Sequence, residues 1–492
     1  MDPREPSLNE RRCIIRHDLG FYHGLAASVV YNVPGPQITD LETLAQKFGP
    51  ALQHCVEQHP ILGLVIDKAD TEQPTFRRLS QLHLGSHLIL TWPGEVMVGR
   101  LEENDEHVVA ERAMERVVNA RFQDVGEAPP WRLFVIPLQS DESAHLERSR
   151  ALVVFNYSHS HGDGISGLAF HHSLLQALVD NSPSRNEAAS MTTRQTGTKQ
   201  IPPSPDPMPI SWSYMLGVLA NEFLPGLPRL LFWRGTVAPP WTANRAVFNA
   251  HHFRTGSKLL IIDGSILKLA LARCRQNGIK MSALLHLLVV RSLTTTLREN
   301  GIDPASFVSG TPIDLRKHFA LTAMDMSMNP STVSYQHNTV TTSQPISDPE
   351  LCSAREMTAK FAQASSTIQD QIIGLLKYAS PMRKWFLDKL GKPRSTSYEL
   401  SNIGSFKPTR SAIVHVDHVY FSQPADAVGH PLSVNVVSLD GGDLSIMLSW
   451  QIGALDLEGT IEKLEETERG FIDGLAASIK ADFVHWATPS ER

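Results

Sequence analysis

The sequence predicts an α/β fold with two halves, each alternating strands and helices. Three observations carry this expectation. Strand-like apolar runs alternate with helical periodicity through both halves of the chain. A single polar, proline-rich stretch, residues 181–209, stands between them. At residues 151–165 a buried-type strand runs through a glycine-rich turn straight into an apolar-periodic helix. At 492 residues and 42% hydrophobic composition, the chain can bury a large core in more than one folding unit.

The first half opens with a strand at 26–33, closed by Pro34, Gly35 and Pro36. Thr39 and Glu42 form a capping-box pattern for a helix whose Leu41, Leu44, Ala45 and Phe48 share one face. Gly49-Pro50 should kink or restart it, and Leu52, Cys55 and Val56 continue the face towards His59-Pro60-Ile61-Leu62. A weakly amphipathic helix at 105–122 is broken before Pro129-Pro130, and 131–138 reads as a strand. The strand at 151–157 and a helix from about Ile165 follow, with Leu168, His172, Leu175 and Val179 on one helical face.

Beyond the polar stretch, residues 212–233 hold only two charges, Glu222 and Arg229, over about the length of a membrane span. Gly217, Pro225, Gly226 and Pro228 interrupt it, so it reads as a protein-covered or substrate-facing helical segment. No stable membrane span is expected, although shallow membrane contact is compatible with it. In the second half Ser265 is expected to cap a helix to about Asn277, and Ser282 another ending at Gly301. The latter carries apolar residues almost all round and should be buried. Strands are expected at 414–421, 432–439 and 444–450, the last two joined by Asp440-Gly441-Gly442-Asp443 as a hairpin. An amphipathic helix at 457–483 closes the fold. The expected division is 1–180, a linker and apolar crossover at 181–245, and 246–492.

Composition narrows the function classes. Lys plus Arg number 45 against 51 Asp plus Glu, a net charge of -6, so no nucleic acid partner is expected. Cys13, Cys55, Cys274 and Cys352 lie far apart, with neither zinc-knuckle spacing nor the density of a disulfide scaffold, and no secretory signal is visible at Met1. The chain reads as a cytoplasmic monomer.

The turn Ser158-His159-Ser160-His161-Gly162-Asp163-Gly164 carries three readings. Gly162, Gly164 and Gly167 spell the phosphate-cradling Gly-x-Gly-x-x-Gly, but the acidic residue expected on a second strand about twenty residues later is missing. His159, His161 and Asp163 spell the His-x-His-x-Asp of a zinc hydrolase, yet Gly164 stands where a further histidine ligand belongs. His159 followed by Asp163-Gly164 fits base-catalysed acyl transfer, in which a neutral imidazole takes the proton of an attacking hydroxyl. Asp163 would brace the turn and Gly164 would permit a tight bend and close backbone approach. No Gly-x-Ser-x-Gly elbow marks a covalent intermediate.

The turn resembles the His-x-x-x-Asp-Gly motif of the chloramphenicol acetyltransferase-like superfamily of condensation domains, plant BAHD acyltransferases and fungal alcohol acetyltransferases. His59-Pro60-Ile61-Leu62, Thr311-Pro312-Ile313-Asp314-Leu315-Arg316, Ser401-Asn402-Ile403-Gly404 and the hairpin through Trp450 stand in the order of the fungal alcohol acetyltransferases. The Asp-Phe-Gly-Trp-Gly stretch of the plant enzymes is absent, and no carrier domain is attached. The resemblance implies two chloramphenicol acetyltransferase-like subdomains, with mixed sheets flanked by helices, around a central tunnel. It implies acetyl-CoA as co-substrate, no bound cofactor or metal, and a small-molecule alcohol, here hydrophobic, as acceptor. His159 would be the base, Asp163 would pair with Arg316, and Ser282, Ser401 and Asn402 are candidate oxyanion or tunnel residues. A non-catalytic or carrier-dependent module is the alternative, against which stand both His159 and Asp163.

Overall fold

Strand 148–158 is apolar on both faces because both are covered, and the first sheet is built round it. The computed structural model describes residues 4–97, 105–139, 148–180, 192–194, 208–223, 239–340, 345–409, 411, 413–458 and 461–488. The strands are β1 (Gly24–Pro34), β2 (Leu64–Asp67), β3 (Thr75–Arg78), β4 (Gln81–His83), β5 (Leu88–Leu90), β6 (Trp131–Leu138), β7 (Arg148–Ser158), β8 (Thr192–Arg194), β9 (Thr255–Ile262), β10 (Ser306–Asp314), β11 (Pro330–Asn338), β12 (Tyr398–Phe406), β13 (His415–Ser422), β14 (Leu432–Leu439) and β15 (Leu444–Gln451). The main helices are α1 (Leu8–Asp18), α2 (Leu41–Gln58), α3 (Pro93–Val96), α4 (Glu106–Val118), α5 (Gly164–Asp180), α6 (Trp212–Phe223), α7 (Gly264–Gln276), α8 (Met281–Glu299), α9 (Asp348–Ser365), α10 (Met382–Leu387) and α11 (Ile461–Ala487).

The first sheet runs β13-β1-β7-β6-β5. Period-2 alternation sends Val153, Phe155 and Tyr157 into a core with Phe48, Leu52, Phe170 and Leu174 of α2 and α5, while Leu152 and Val154 meet Val109, Ala113 and Met114 of α4. The second sheet runs β11-β10-β12-β14-β15-β9, with β12 parallel to both β10 and β14. Helices α7, α8 and α11 cover it. Buried residues surround α8, as its sequence requires, and Asp440 to Asp443 join β14 to β15 with Gly441 at φ +79°.

Several local expectations are corrected. The first long helix is capped one residue later than predicted, by Asp40, whose carboxylate accepts from Thr43 N at 2.8 Å while Thr43 Oγ1 accepts from Asp40 N at 3.2 Å. It then runs unbroken through Gly49-Pro50. Asp263, not Ser265, caps α7, and Lys280 precedes α8, placing Ser282 inside its first turn. The polar stretch contributes β8, paired with β4; most of that stretch and the 224–233 part of the apolar segment lie outside the described residues. No helix among the described residues is long and apolar enough to cross a membrane.

One strand departs from the expected division: β13, from within 246–492, pairs antiparallel with β1 from Ala26↔Ser422 to Asn32↔His415. The reverse contact is made by α4, which lies along the outer edge of β9. Glu115 and Glu111 accept the edge amides of Ser257 and Leu259, both at 2.8 Å, and Asn119 exchanges two hydrogen bonds with Thr255. Each half thus completes the other's sheet.

Candidate active site

The turn that β7 delivers is held by short contacts on every side. Gly24 pairs with Ser158 at the end of the β1–β7 ladder, and Tyr157 Oη donates to Asp163 O at 2.7 Å. Three glycines serve close packing. A Cβ on Gly162 would lie 2.6 Å from Ser166 Cβ, and one on Gly167 2.5 Å from Ala27 Cβ. On Gly164 it would meet Ile403 Cγ2 at 2.5 Å and Phe421 Cζ at 3.0 Å. Gly164 does not occupy the left-handed region, so it provides approach space rather than the tight bend expected of it.

His159 is partly buried, with Nδ1 3.0 Å from Gly162 O. A carbonyl can only accept, so Nδ1 carries the proton and the lone pair lies on Nε2. Nε2 has no hydrogen-bond partner among the described residues. Its surroundings push the imidazole pKa down to about 3, first through burial and then through the guanidinium groups of Arg16 and Arg12. The His159 ring lies 5.6 Å from that of Tyr22.

Asp163 and Arg316 meet. Arg316 Nη1 and Nη2 donate to Asp163 Oδ2 and Oδ1 at 2.8 and 2.6 Å, a bidentate pair, and Ser166 N donates to Oδ1 at 3.0 Å. Arg316, 1% exposed, also donates to Asp314, Ser327 O and Asp325 O. Burial would raise the Asp163 pKa, but the Arg316 pair and the hydrogen bonds from Ser166 together more than offset it, leaving the carboxylate below its usual range.

His161 is turned away from His159. Its Nε2 donates to Leu64 O at 2.9 Å, Nδ1 lies 3.0 Å from Ser160 Oγ, and its ring abuts Phe76 edge-on. With one nitrogen protonated and the other taken by a serine hydroxyl, it serves the packing of β2 and β3 against the turn. His171 is likewise engaged, by Ala27 O and Tyr31 Oη.

Of the remaining predicted residues, Ser401 and Asn402 lie on β12 and Ser282 in the first turn of α8. Asn402 Nδ2 donates to Ser282 Oγ at 3.1 Å and its Oδ1 accepts from Gly404 N at 3.0 Å, so its amide shapes the strand and its contact with α8. Ser401 is buried. It stands on the opposite side of the strand, between Glu399 and Ile403, of which Ile403 touches Gly164.

Sequence reasoning missed a second set of polar residues beside His159. Arg16 pairs with Asp426 at 2.8 Å and stacks 4.3 Å over the Tyr22 ring. Tyr22 Oη donates to Gln423 Oε1 at 2.8 Å, and Gln423 Nε2 donates to Asn435 Oδ1 at 3.0 Å and Glu399 Oε1 at 3.2 Å. The available signal was the helix start at Ser7 and Glu10, which puts Arg12 and Arg16 one turn apart on α1.

Known proteins resemble the chain in sequence and in fold. The alcohol acetyltransferase family profile matches residues 97–219 and 321–464, just over half of the chain. A probable alcohol acetyltransferase of Fusarium pseudograminearum is 23% identical over 471 residues, 91% of each chain, and one of Aspergillus fumigatus is 24% identical over 463 residues, 89% of this chain and 93% of that one. In fold the chain is similar to the trichothecene 15-O-acetyltransferase of Fusarium sporotrichioides (TM-score 0.62, 13% identity, 97% of this chain and 95% of that one). It is also similar to the condensation domain of monacolin K polyketide synthase (TM-score 0.55, 11% identity, 99% and 98%). The chain has the chloramphenicol acetyltransferase-like fold, is an acetyltransferase, and belongs to the alcohol acetyltransferase family.

Proposed function

We propose that the protein transfers the acetyl group of acetyl-CoA to a hydroxyl of a hydrophobic secondary metabolite, of terpenoid or polyketide type, with His159 as general base and without an acyl-enzyme. One observation carries the reading: the Nδ1–H of His159 is fixed on Gly162 O at 3.0 Å, which leaves an unprotonated Nε2 on the far side of the ring from its own turn. Nε2 takes the hydroxyl proton as the oxygen attacks the thioester carbon. The tetrahedral intermediate collapses, the C–S bond breaks, and the thiolate recovers the proton from Nε2. Asp163 holds the turn through Arg316 and does not touch the reacting atoms. Ser401 is the candidate oxyanion donor, since the amide of Asn402 is engaged with Ser282 and Gly404. Donor and acceptor would reach His159 from opposite faces, as the resemblance implies.

Incubation with acetyl-CoA and a panel of hydroxylated terpenoids and polyketides, read by mass spectrometry for a gain of one acetyl group, tests the reading. His159→Ala should lower turnover by about a hundred- to ten-thousandfold. His161→Gln, checked by melting, should retain most turnover. Full transfer by the His159 variant would remove the base assignment.

A further inference from the structure

Arg12 and Arg16 leave α1 one turn apart; Arg16 stacks 4.3 Å over the Tyr22 ring, which lies 5.6 Å from that of His159, and both guanidinium groups reach the Cys13 sulfur. Their donors outnumber the oxygens that receive them. Arg16 is buried; Nη1 donates to Asp426 Oδ2, Nη2 reaches only Cys13 Sγ at 3.9 Å, and Nε has no partner among the described residues. Arg12, partly buried, donates Nε to Asn9 Oδ1 at 3.0 Å and Nη2 to the same sulfur at 3.9 Å, and has no carboxylate within ion-pair distance among the described residues. Other charged groups near the pair are already engaged. Asp426 also accepts the amides of Val428 and Gly429, Asp163 is locked to Arg316, and Glu399 of β12 accepts from Gln423 and lies 3.8 Å from His430.

Two guanidinium groups beside the base oppose its protonation, because His159 becomes a cation when it accepts the hydroxyl proton. An oxygen anion seated against them would satisfy the idle donors and relieve that opposition together. We propose that Arg12 and Arg16 form the receiving site for a carboxylate on the acceptor, so that the favoured substrates are apolar hydroxy acids. The inference rests on reading His159 as the base. The phosphates of acetyl-CoA are separated from its thioester by the pantetheine arm, which makes the acceptor the source of the anion.

The probes are 3-hydroxydecanoate and its methyl ester, with binding measured by calorimetry on the full chain, wild type and Arg12→Gln. The acid should bind the wild type about tenfold or more tightly than the ester, the strength of a charge-assisted contact. Arg12→Gln should abolish the preference, and Arg12→Lys, which keeps the charge, should restore part of it. Bound acid should also raise the His159 titration midpoint, followed by nuclear magnetic resonance, in the wild type only. Equal binding of acid and ester, binding of neither, or a preference that survives Arg12→Gln overturns the proposal. So does a parallel loss of CoA affinity in Arg12→Gln, which would assign the site to donor phosphate. Failure of the base reading would look different: His159→Ala would transfer normally while acid-over-ester binding persisted.

Discussion

At the scale of single residues, the site divides into positions that the local sequence announces and positions that only the fold assembles. His159, Asp163 and Gly164 lie within six residues and carry their chemistry in their spacing. The Asp163–Arg316 contact follows from the family resemblance, although the partners are 153 residues apart. Arg16 and Asp426, 410 residues apart, have no such marker, because neither the helix nor the loop has an unusual composition. Asp163 offers the sharper test. Asp163→Asn keeps the shape but leaves Arg316 buried with only the part-exposed Asp314 as charge partner, so the loss should reach at most the ~3–5 kcal/mol of breaking a buried pair. Denaturant unfolding should show that loss alongside reduced turnover. Lost turnover with unchanged stability would place Asp163 in the chemistry instead.

At the scale of elements, most strands and helices were legible because a period of two or of 3.6 needs no knowledge of the partner. β6 and β14 fall on the residues that periodicity indicated. Helix starts were less legible, since adjacent polar residues compete for the cap: Asp40 stands beside Thr39, and Asp263 two residues before Ser265. The contact between α4 and β9 was invisible, because nothing in the spacing of Glu111 and Glu115 sets them apart from solvated residues of an amphipathic helix. They instead accept the amides of an edge strand, so the double change to alanine should strand two backbone donors at about 1–3 kcal/mol each. Gln at both positions keeps an acceptor oxygen and should recover most of the loss. Hydrogen exchange at Ser257 and Leu259 is the direct measurement. Protection that is unchanged in the alanine variant would show that packing alone holds this edge.

At the scale of the whole molecule, the two halves are joined by exchange. β13 crosses into the first sheet, α4 closes the second, and two buried ion pairs of opposite sense, Asp163–Arg316 and Arg16–Asp426, span the site. A division at 246 could not foresee this, because a strand's periodicity does not name its sheet. The joined core also encloses neutral histidines. Burial pushes His87, His161 and His171 down to about 4 and His159 and His337 to about 3, while His286 is driven well below its ordinary value. In the unfolded chain each titrates near ~6.5. Between that value and the folded one the unfolded chain binds a proton that the native state does not, so this stability is complete above about pH 6.5 and falls with pH. Each group adds up to ~1.4 kcal/mol per pH unit to the slope. Asp426, depressed to about 2 chiefly by Arg16 against the opposing effect of burial, adds its loss only below the ordinary carboxylate range. Urea midpoints should therefore be level from pH 8 to 7 and decline steeply from 6.5 towards 4.5, ahead of any carboxylate. His87→Gln should reduce that decline by about one proton's worth. A midpoint that stays level down to pH 5 would mean that these histidines take up protons without unfolding, and that the core between the halves opens to water.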